Sequence, residues 1–143
     1  MAVISLPADA TTLVLNGTII AELGVGDFLT LTPANEATAH VNSSNGGVNI
    51  NKRTDAEVYD LALTVQKYSE SDSFLNNALR GEEPTIFNGS CKTAFNRDGT
   101  DGIESWILEN GSFTTQPTDT KNDQDGNATM EYTIRFRRAT RNI

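Results

Sequence analysis

His40 is the single imidazole of a 143-residue chain, and its sequence neighbours give it no orienting partner. A Ser-His-Asp relay would have to be assembled from distant residues, and no serine lies in a nucleophile-elbow motif. Glu82, Glu83 and Glu104 are available for acid–base work on a glycosidic bond, which needs two carboxylates about 5–9 Å apart. On a chain of net charge −8, however, carboxylates are ordinary solvated groups. The stretch from Asp119 to Asp125, followed by Gly126, has the crowded oxygens of a calcium loop. Setting Asp125-Gly126 at the fifth and sixth loop positions puts Lys121 at the first and Tyr132 at the twelfth, where neither can serve. Gly24-Val25-Gly26 lacks the third glycine and the strand-turn-helix setting of a phosphate cradle, and reads as a turn. Cys91 has no second cysteine for a disulfide or a thiolate metal site, and reads as a small buried apolar residue. These residues predict no enzyme, no cofactor and no metal.

Composition narrows the remaining classes. The length fits one domain with one core. A hydrophobic fraction of 37% and a mean hydropathy of −0.37 fit an ordinary soluble protein. No run approaches the roughly 18 apolar residues of a membrane span. Met1 to Ala10 contains no base but does contain Pro7 and Asp9, unlike a secretory leader, so the expectation is a protein that stays in the cytoplasm. Five Asn-X-Ser/Thr triplets, at Asn16, Asn42, Asn88, Asn110 and Asn127, then read as turn chemistry rather than glycosylation. Charge is uneven. Residues 1–134 hold all 19 acids and seven bases, whereas the last nine residues hold Arg135, Arg137, Arg138 and Arg141 and no acid. An acidic body repels nucleic acid, and the basic end is too short for a nucleic-acid footprint. That end is better suited to an acidic patch on another copy.

The elements that must position these residues are mostly strands. Thr12 to Leu15 is β-branched and aliphatic and meets Asn16-Gly17, a two-residue hairpin signal, with Thr18 to Ile20 returning. Phe28 to Thr32 alternates and stops at Pro33. From Ala34 to Asp55 the pattern turns polar, predicting an extended loop or a protruding hairpin with Val48 to Asn51 as its returning arm. Glu57 to Tyr68 reads as a half-buried strand with Tyr59, Leu61, Leu63 and Val65 on one face. Ser69 with Asp72 opens a short helix whose Phe74, Leu75, Ala78 and Leu79 share a side, with Gly81 as its stop. Thr85 to Phe87 leads into turns through Gly89 and Asn96 to Gly99. Ile103 to Glu109 carries Trp106 and ends at Asn110-Gly111, with Phe113 to Gln116 as a short return strand. After a polar loop from Pro117 to Asn127, Met130, Tyr132, Ile134 and Phe136 alternate with Glu131, Thr133, Arg135 and Arg137. Seven or eight short strands and one helix predict an antiparallel β-sandwich or partly open barrel with one flanking helix. Its core is expected to hold Leu61, Leu63, Val65, Phe74, Leu75, Leu79, Trp106, Tyr132, Ile134 and Phe136.

In this order the pieces resemble the tail tube proteins of contractile-tailed bacteriophages. The resemblance runs through Leu13-Val14-Leu15-Asn16-Gly17, Gly26 to Leu31, Gly46-Gly47-Val48 and Asn51 to Asp55. It continues through Leu61 to Gln66, Ser71 to Leu79, the strand around Trp106 and Tyr132 to Phe136, covering roughly residues 10–138. Order and spacing carry it, and residues 89–127 match more loosely. The resemblance implies a structural virion protein without catalytic residues. Six copies would form a ring, their sheets joining into an inner barrel, and rings would stack into a hollow tube inside a sheath. Genomic DNA would pass through without specific binding. Tail sheath, baseplate initiator and tail terminator proteins would be its partners, no membrane would be involved, and assembly in the host cytoplasm would place the chain in the virion tail.

This agrees with the charge pattern, since an acidic lumen lets DNA slide without adhering. Joining sheets between copies also satisfies open strand edges. The segment from Ala34 to Asp55, with Asn42, Asn45, Val48, Lys52 and Arg53, is expected to reach a neighbouring subunit or ring. Arg135, Arg137 and Arg138 are expected to pair with acids of an adjacent copy or of the sheath. The alternative is a carbohydrate- or protein-binding β-sandwich, such as another baseplate or virion component, with Trp106 and Tyr132 on an exposed face.

Overall fold

Three alternating segments form the inner walls of the protein, whose computed structural model describes residues 2–7, 9–24, 28–121 and 128–143. In β7 (Tyr59–Gln66), Leu61, Leu63 and Val65 are fully buried; in β11 (Thr129–Asn142), Tyr132, Ile134 and Phe136 are; in β2 (Thr11–Leu15), Leu13 and Leu15 are. The other strands are β1 (Ile4–Ser5), β3 (Thr18–Ile20), β4 (Leu29–Pro33), β5 (Thr38–Asn42) and β6 (Val48–Lys52). Phe87–Arg97 forms β8, Thr100–Phe113 forms β9 and Thr118–Thr120 forms β10; a helix, α1, spans Glu70–Leu79.

Nine strands make one antiparallel sheet whose main path runs β3-β2-β8-β9-β11-β7-β4, with β1 added to β8 and β10 to β11. The remaining two, β5 and β6, pair only with each other. The long sheet wraps around one core. It comes back toward itself where Leu23 bridges Val65 and Gly24 donates its backbone N–H to the Thr64 carbonyl at 2.9 Å. Fully burying one aliphatic side chain in such a core contributes about 1.5–3 kcal/mol.

A crease lets one sheet serve as two walls. The β8–β9 register shifts between Phe87 and Gly89, Asn110 has φ +54° within β9, and the buried positions change parity from Leu108 to Gly111. On β11 the same change separates Phe136 from Ala139. Such irregularities bend strands, and here they align across neighbours. Asparagines satisfy the displaced backbone. Asn16 Oδ1 accepts from the Asn88 N–H at 2.9 Å, Asn88 Oδ1 accepts from the Asn110 N–H at 3.0 Å, and Asn16 Nδ2 donates to the Ile86 carbonyl at 3.1 Å. Gly89 is required at the crease because a Cβ there would sit 1.9 Å from the Val14 carbonyl oxygen.

The helix closes the core. Ser69 Oγ accepts from the Asp72 N–H, and Asp72 Oδ2 accepts from the Tyr68 N–H at 3.0 Å, so the first turn is capped from both directions. Leu75 is fully buried, and Phe74 meets Phe87 edge-on. Tyr132 Oη donates to Asp72 Oδ1 at 2.6 Å, tying α1 to β11.

Several sequence expectations are corrected here. Asn110-Gly111 is not a turn: β9 runs through it to Phe113, because the asparagine takes the left-handed conformation as a bulge and neighbouring strands continue on both sides. Phe113 therefore ends β9 rather than starting a return strand. The turn-rich reading through Gly89 gives way to an unbroken β8 from Phe87 to Arg97. Gly81 follows the Arg80 cap without adopting a left-handed φ. Thr118–Thr120 forms a short edge strand, and most of the loop compared with a calcium site, residues 122–127, lies outside the described residues.

Candidate assembly surface

The β5–β6 hairpin is the least supported element of the described structure. In the β5–β6 hairpin, register pairs His40 with Ile50 and Asn42 with Val48, putting these four side chains on one face. Val41, opposite Asn49, lies on the other face. Val41, Val48 and Ile50 are 58%, 54% and 62% exposed, although each is an aliphatic strand residue. A lone two-stranded hairpin is marginal in water, and this one has no third strand and no packed face among the described residues. Its turn is held locally: the Ser43 N–H donates to the Gly47 carbonyl at 2.7 Å, and Ser43 Oγ accepts from the Gly47 N–H at 3.0 Å.

A second apolar row crosses the outer face of the long sheet. Ile19 on β3 stands opposite Val14, Val14 opposite Ser90, Ser90 opposite Ile107 and Ile107 opposite Thr140. Ile19 is 64% exposed, Ile107 43%, and Ile103 on the same face 61%. Sequence reasoning missed this row. No single strand contains it, and only register reveals that Val14 and Ile19 face outward together. Among the described residues, the outer flanks of β3 and β4 are further unpaired edges at the ends of the main strand path.

The arginine-rich end pairs largely within its own chain. Arg135 binds Asp60 through two nitrogens, at 2.7 and 3.1 Å, Arg138 binds Glu57 at 2.7 Å, and Arg141 binds Glu104. These acids lie on or beside neighbouring strands, so three of the four terminal arginines already have partners in their own chain. The paired Asp60 carboxylate raises the Arg135 pKa further above its ordinary value. Arg137 makes no ion pair among the described residues. Arg53 is bound by Asp55 at 2.9 Å, which holds that carboxyl below its usual range through a hydrogen bond and charge. Lys52, Asn42 and Val48 are exposed on the hairpin, with Asn45 in its turn.

Residues considered for chemistry are dispersed. His40 Nε2 meets Thr38 Oγ1 at 2.8 Å, Glu104 is engaged by Arg141, and Glu82 and Glu83 are exposed beyond α1. Cys91, on β8 opposite Leu13 of β2, is buried, and loss of hydration pushes its thiol up to about 11. Trp106 is half-buried against Tyr59, their ring centres 5.1 Å apart, and Tyr132 is only 1% exposed. The aromatic binding face required by the carbohydrate or protein-binding alternative is therefore not formed by this pair. Among the described residues no group of three acids, histidines or cysteines converges on a metal position, and no helix is long and apolar enough to cross a membrane.

No protein-family model matches the chain, and no curated protein matches its sequence. Solved structures do match in shape. The chain is similar to a subunit of the anti-feeding prophage cap, the tube-terminating cap, with TM-score 0.66 at 16% identity, covering 96% of this chain and 91% of that one. A subunit of the sheath–tube complex of an extracellular contractile injection system matches at TM-score 0.65 and 13% identity, over 96% of this chain and 91% of that one. Hcp1 from Flavobacterium johnsoniae matches more loosely, at TM-score 0.51 and 12% identity, over 92% of this chain and 94% of that one. The mainly antiparallel β fold with one short helix is that of tube and Hcp-like proteins, as the order of residues implied.

Proposed function

We propose that this chain is a structural subunit of a contractile-system tube, in which six copies close into a ring and rings stack into a conduit. The observation that carries the reading is the β5–β6 hairpin, whose exposed aliphatic side chains lack cover among the described residues. In the proposed assembly the hairpin packs on a neighbouring copy, and the open flanks of β3 and β4 are completed by adjacent subunits. The near full-length likeness to tube and tube-terminating cap subunits supports this arrangement. The role is structural rather than catalytic. Sheath, baseplate and terminator subunits are the corresponding partners, and the tail of a virion or a related injection particle is its place.

The cargo proposed is genomic DNA. Six chains at −8 each would repel a polyanion enough to prevent adhesion while allowing transit. The internal pairs of Arg135, Arg138 and Arg141 modify the contact reading, leaving Arg137 as the terminal base best placed to meet an acid on another subunit.

Negative-stain electron microscopy of the purified chain tests the reading. Rings with a central hole, or stacks of them, are expected from the whole chain. A variant with residues 38–52 replaced by a short Gly/Ser turn should remain folded but fail to stack. Undiminished stacking by that variant would remove the hairpin from the assembly contact.

A further inference from the structure

The same dipeptide, Asn-Gly, occurs at residues 16–17, 45–46, 88–89 and 110–111, in sharply different surroundings. Asparagine followed by glycine can modify itself, because the glycine nitrogen reaches the preceding carboxamide without steric hindrance from a side chain. Reaction requires a backbone free to bring nitrogen and Cγ together and a carboxamide free to rotate.

Three of the four are held. The Asn16 carboxamide is tied at both ends, to the Asn88 N–H and the Ile86 carbonyl. Asn88 Oδ1 is occupied by the Asn110 N–H, and Gly89 lies between Leu15 and Leu108 in the sheet. The Asn110 carboxamide is itself exposed and without a partner among the described residues, but its backbone is fixed. The Asn110 N–H is bound by Asn88 Oδ1, and Gly111 lies between Phe87 and Phe136, where a Cβ would meet the Phe136 ring at 2.4 Å, so the backbone has little room to turn. Asn45 is the exception. It is exposed in the hairpin turn, and its carboxamide has no hydrogen-bond partner among the described residues. Gly46 has no neighbour within 4 Å of a Cβ position, and its N–H is tied only to the Ser43 carbonyl of the same turn, at 3.2 Å.

We infer that Asn45–Gly46 is a self-modification site, at which the hairpin turn converts asparagine to aspartate or its β-linked isomer while the other three Asn-Gly pairs persist. Solvent base removes the Gly46 amide proton, and the nitrogen attacks Asn45 Cγ. The new N–C bond closes a succinimide as the Cγ–Nδ2 bond breaks, and the departing nitrogen takes a proton from water and leaves as ammonia. Water then opens the ring at either carbonyl. Nothing is oxidised or reduced, and water is the one co-reactant. The product adds a carboxylate at the turn of the hairpin. Only the consequence rests on the tube reading: in that assembly the new charge falls at a subunit contact.

The test incubates the full chain at mildly alkaline pH and follows each Asn-Gly peptide by mass spectrometry and by isoaspartate labelling. Asn45 should convert at least roughly tenfold faster than Asn16, Asn88 or Asn110, since those must first break native hydrogen bonds. Gly46→Ala should slow conversion at residue 45, with circular dichroism confirming an intact body. Comparable conversion at any of the other three sites would overturn the inference, as would an unchanged rate in Gly46→Ala. A parallel incubation of assembled particles separates the two claims. Modification of Asn45 in free chains but equally fast in particles would keep the inference and remove the turn from the proposed contact.

Discussion

Tyr132 illustrates how one side chain can serve both the core and a polar link. Its ring is buried beside Phe113, while its hydroxyl donates to Asp72 at the capped end of α1. Burial, first, and the Asp72 carboxylate, second, raise the pKa of the phenol above its ordinary value. The sign follows from linkage. Where the unfolded phenol ionises and the folded one stays protonated, the unfolded state binds fewer protons and stability falls as pH rises. Cys91, raised to about 11 from an ordinary 9.0, contributes in the same direction. Stability should therefore decline from about pH 9 upward. Tyr132→Phe should cost about 1.5–3 kcal/mol at neutral pH, for loss of a hydrogen bond to a charged acceptor, yet should weaken the alkaline decline above about pH 10. Denaturant titrations across that range check both parts. Cys91 should also resist a water-soluble thiol reagent until the protein is unfolded, a contrast that a chromogenic disulfide assay measures.

At the scale of elements, the crease is the feature on which the wrapped sheet depends. Asn110 holds a left-handed φ in the middle of a 14-residue strand and supplies a link in the asparagine ladder. Asn110→Gly should be tolerated, whereas Asn110→Ala should lower stability by about 1–2 kcal/mol through the left-handed penalty. Thermal denaturation of the two variants distinguishes this from mere loss of a side chain. Alternation made β7 and β11 legible in the sequence, and the Ser69–Asp72 pairing did the same for α1, because those signals are local. The two-residue turn at Asn16-Gly17 was also legible, with φ +50° and +78°. Asn110-Gly111 was not, since the same dipeptide can close a hairpin or bulge a strand, and the neighbouring strand decides. The outward row of Ile19, Val14 and Ile107 is a property of register across strands, which no single segment contains. The arginine pairs were hidden for the same reason, since Asp60 and Glu57 are more than 70 residues away in sequence.

At the scale of the molecule, a wrapped sheet with one closing helix leaves two kinds of incomplete surface: open strand flanks and an unsupported hairpin. In the proposed assembly other copies complete both, and the net charge of −8 gives those copies a mutual repulsion that apolar and strand contacts must overcome. Added salt should therefore promote association by screening that repulsion, with ring abundance rising between low and physiological ionic strength. Light scattering across that series checks the direction. Changing Arg135, Arg137 and Arg138 together to Glu should oppose both folding and assembly, because Asp60 and Glu57 would then face like charges. Closure of a ring is the central step of the proposed assembly. Light scattering coupled to size-exclusion chromatography at rising concentration gives the mass directly. It should show a species near six chains of 15.5 kDa, followed by multiples of that ring. A mass that stays at one chain throughout, at physiological salt and high concentration, would contradict it.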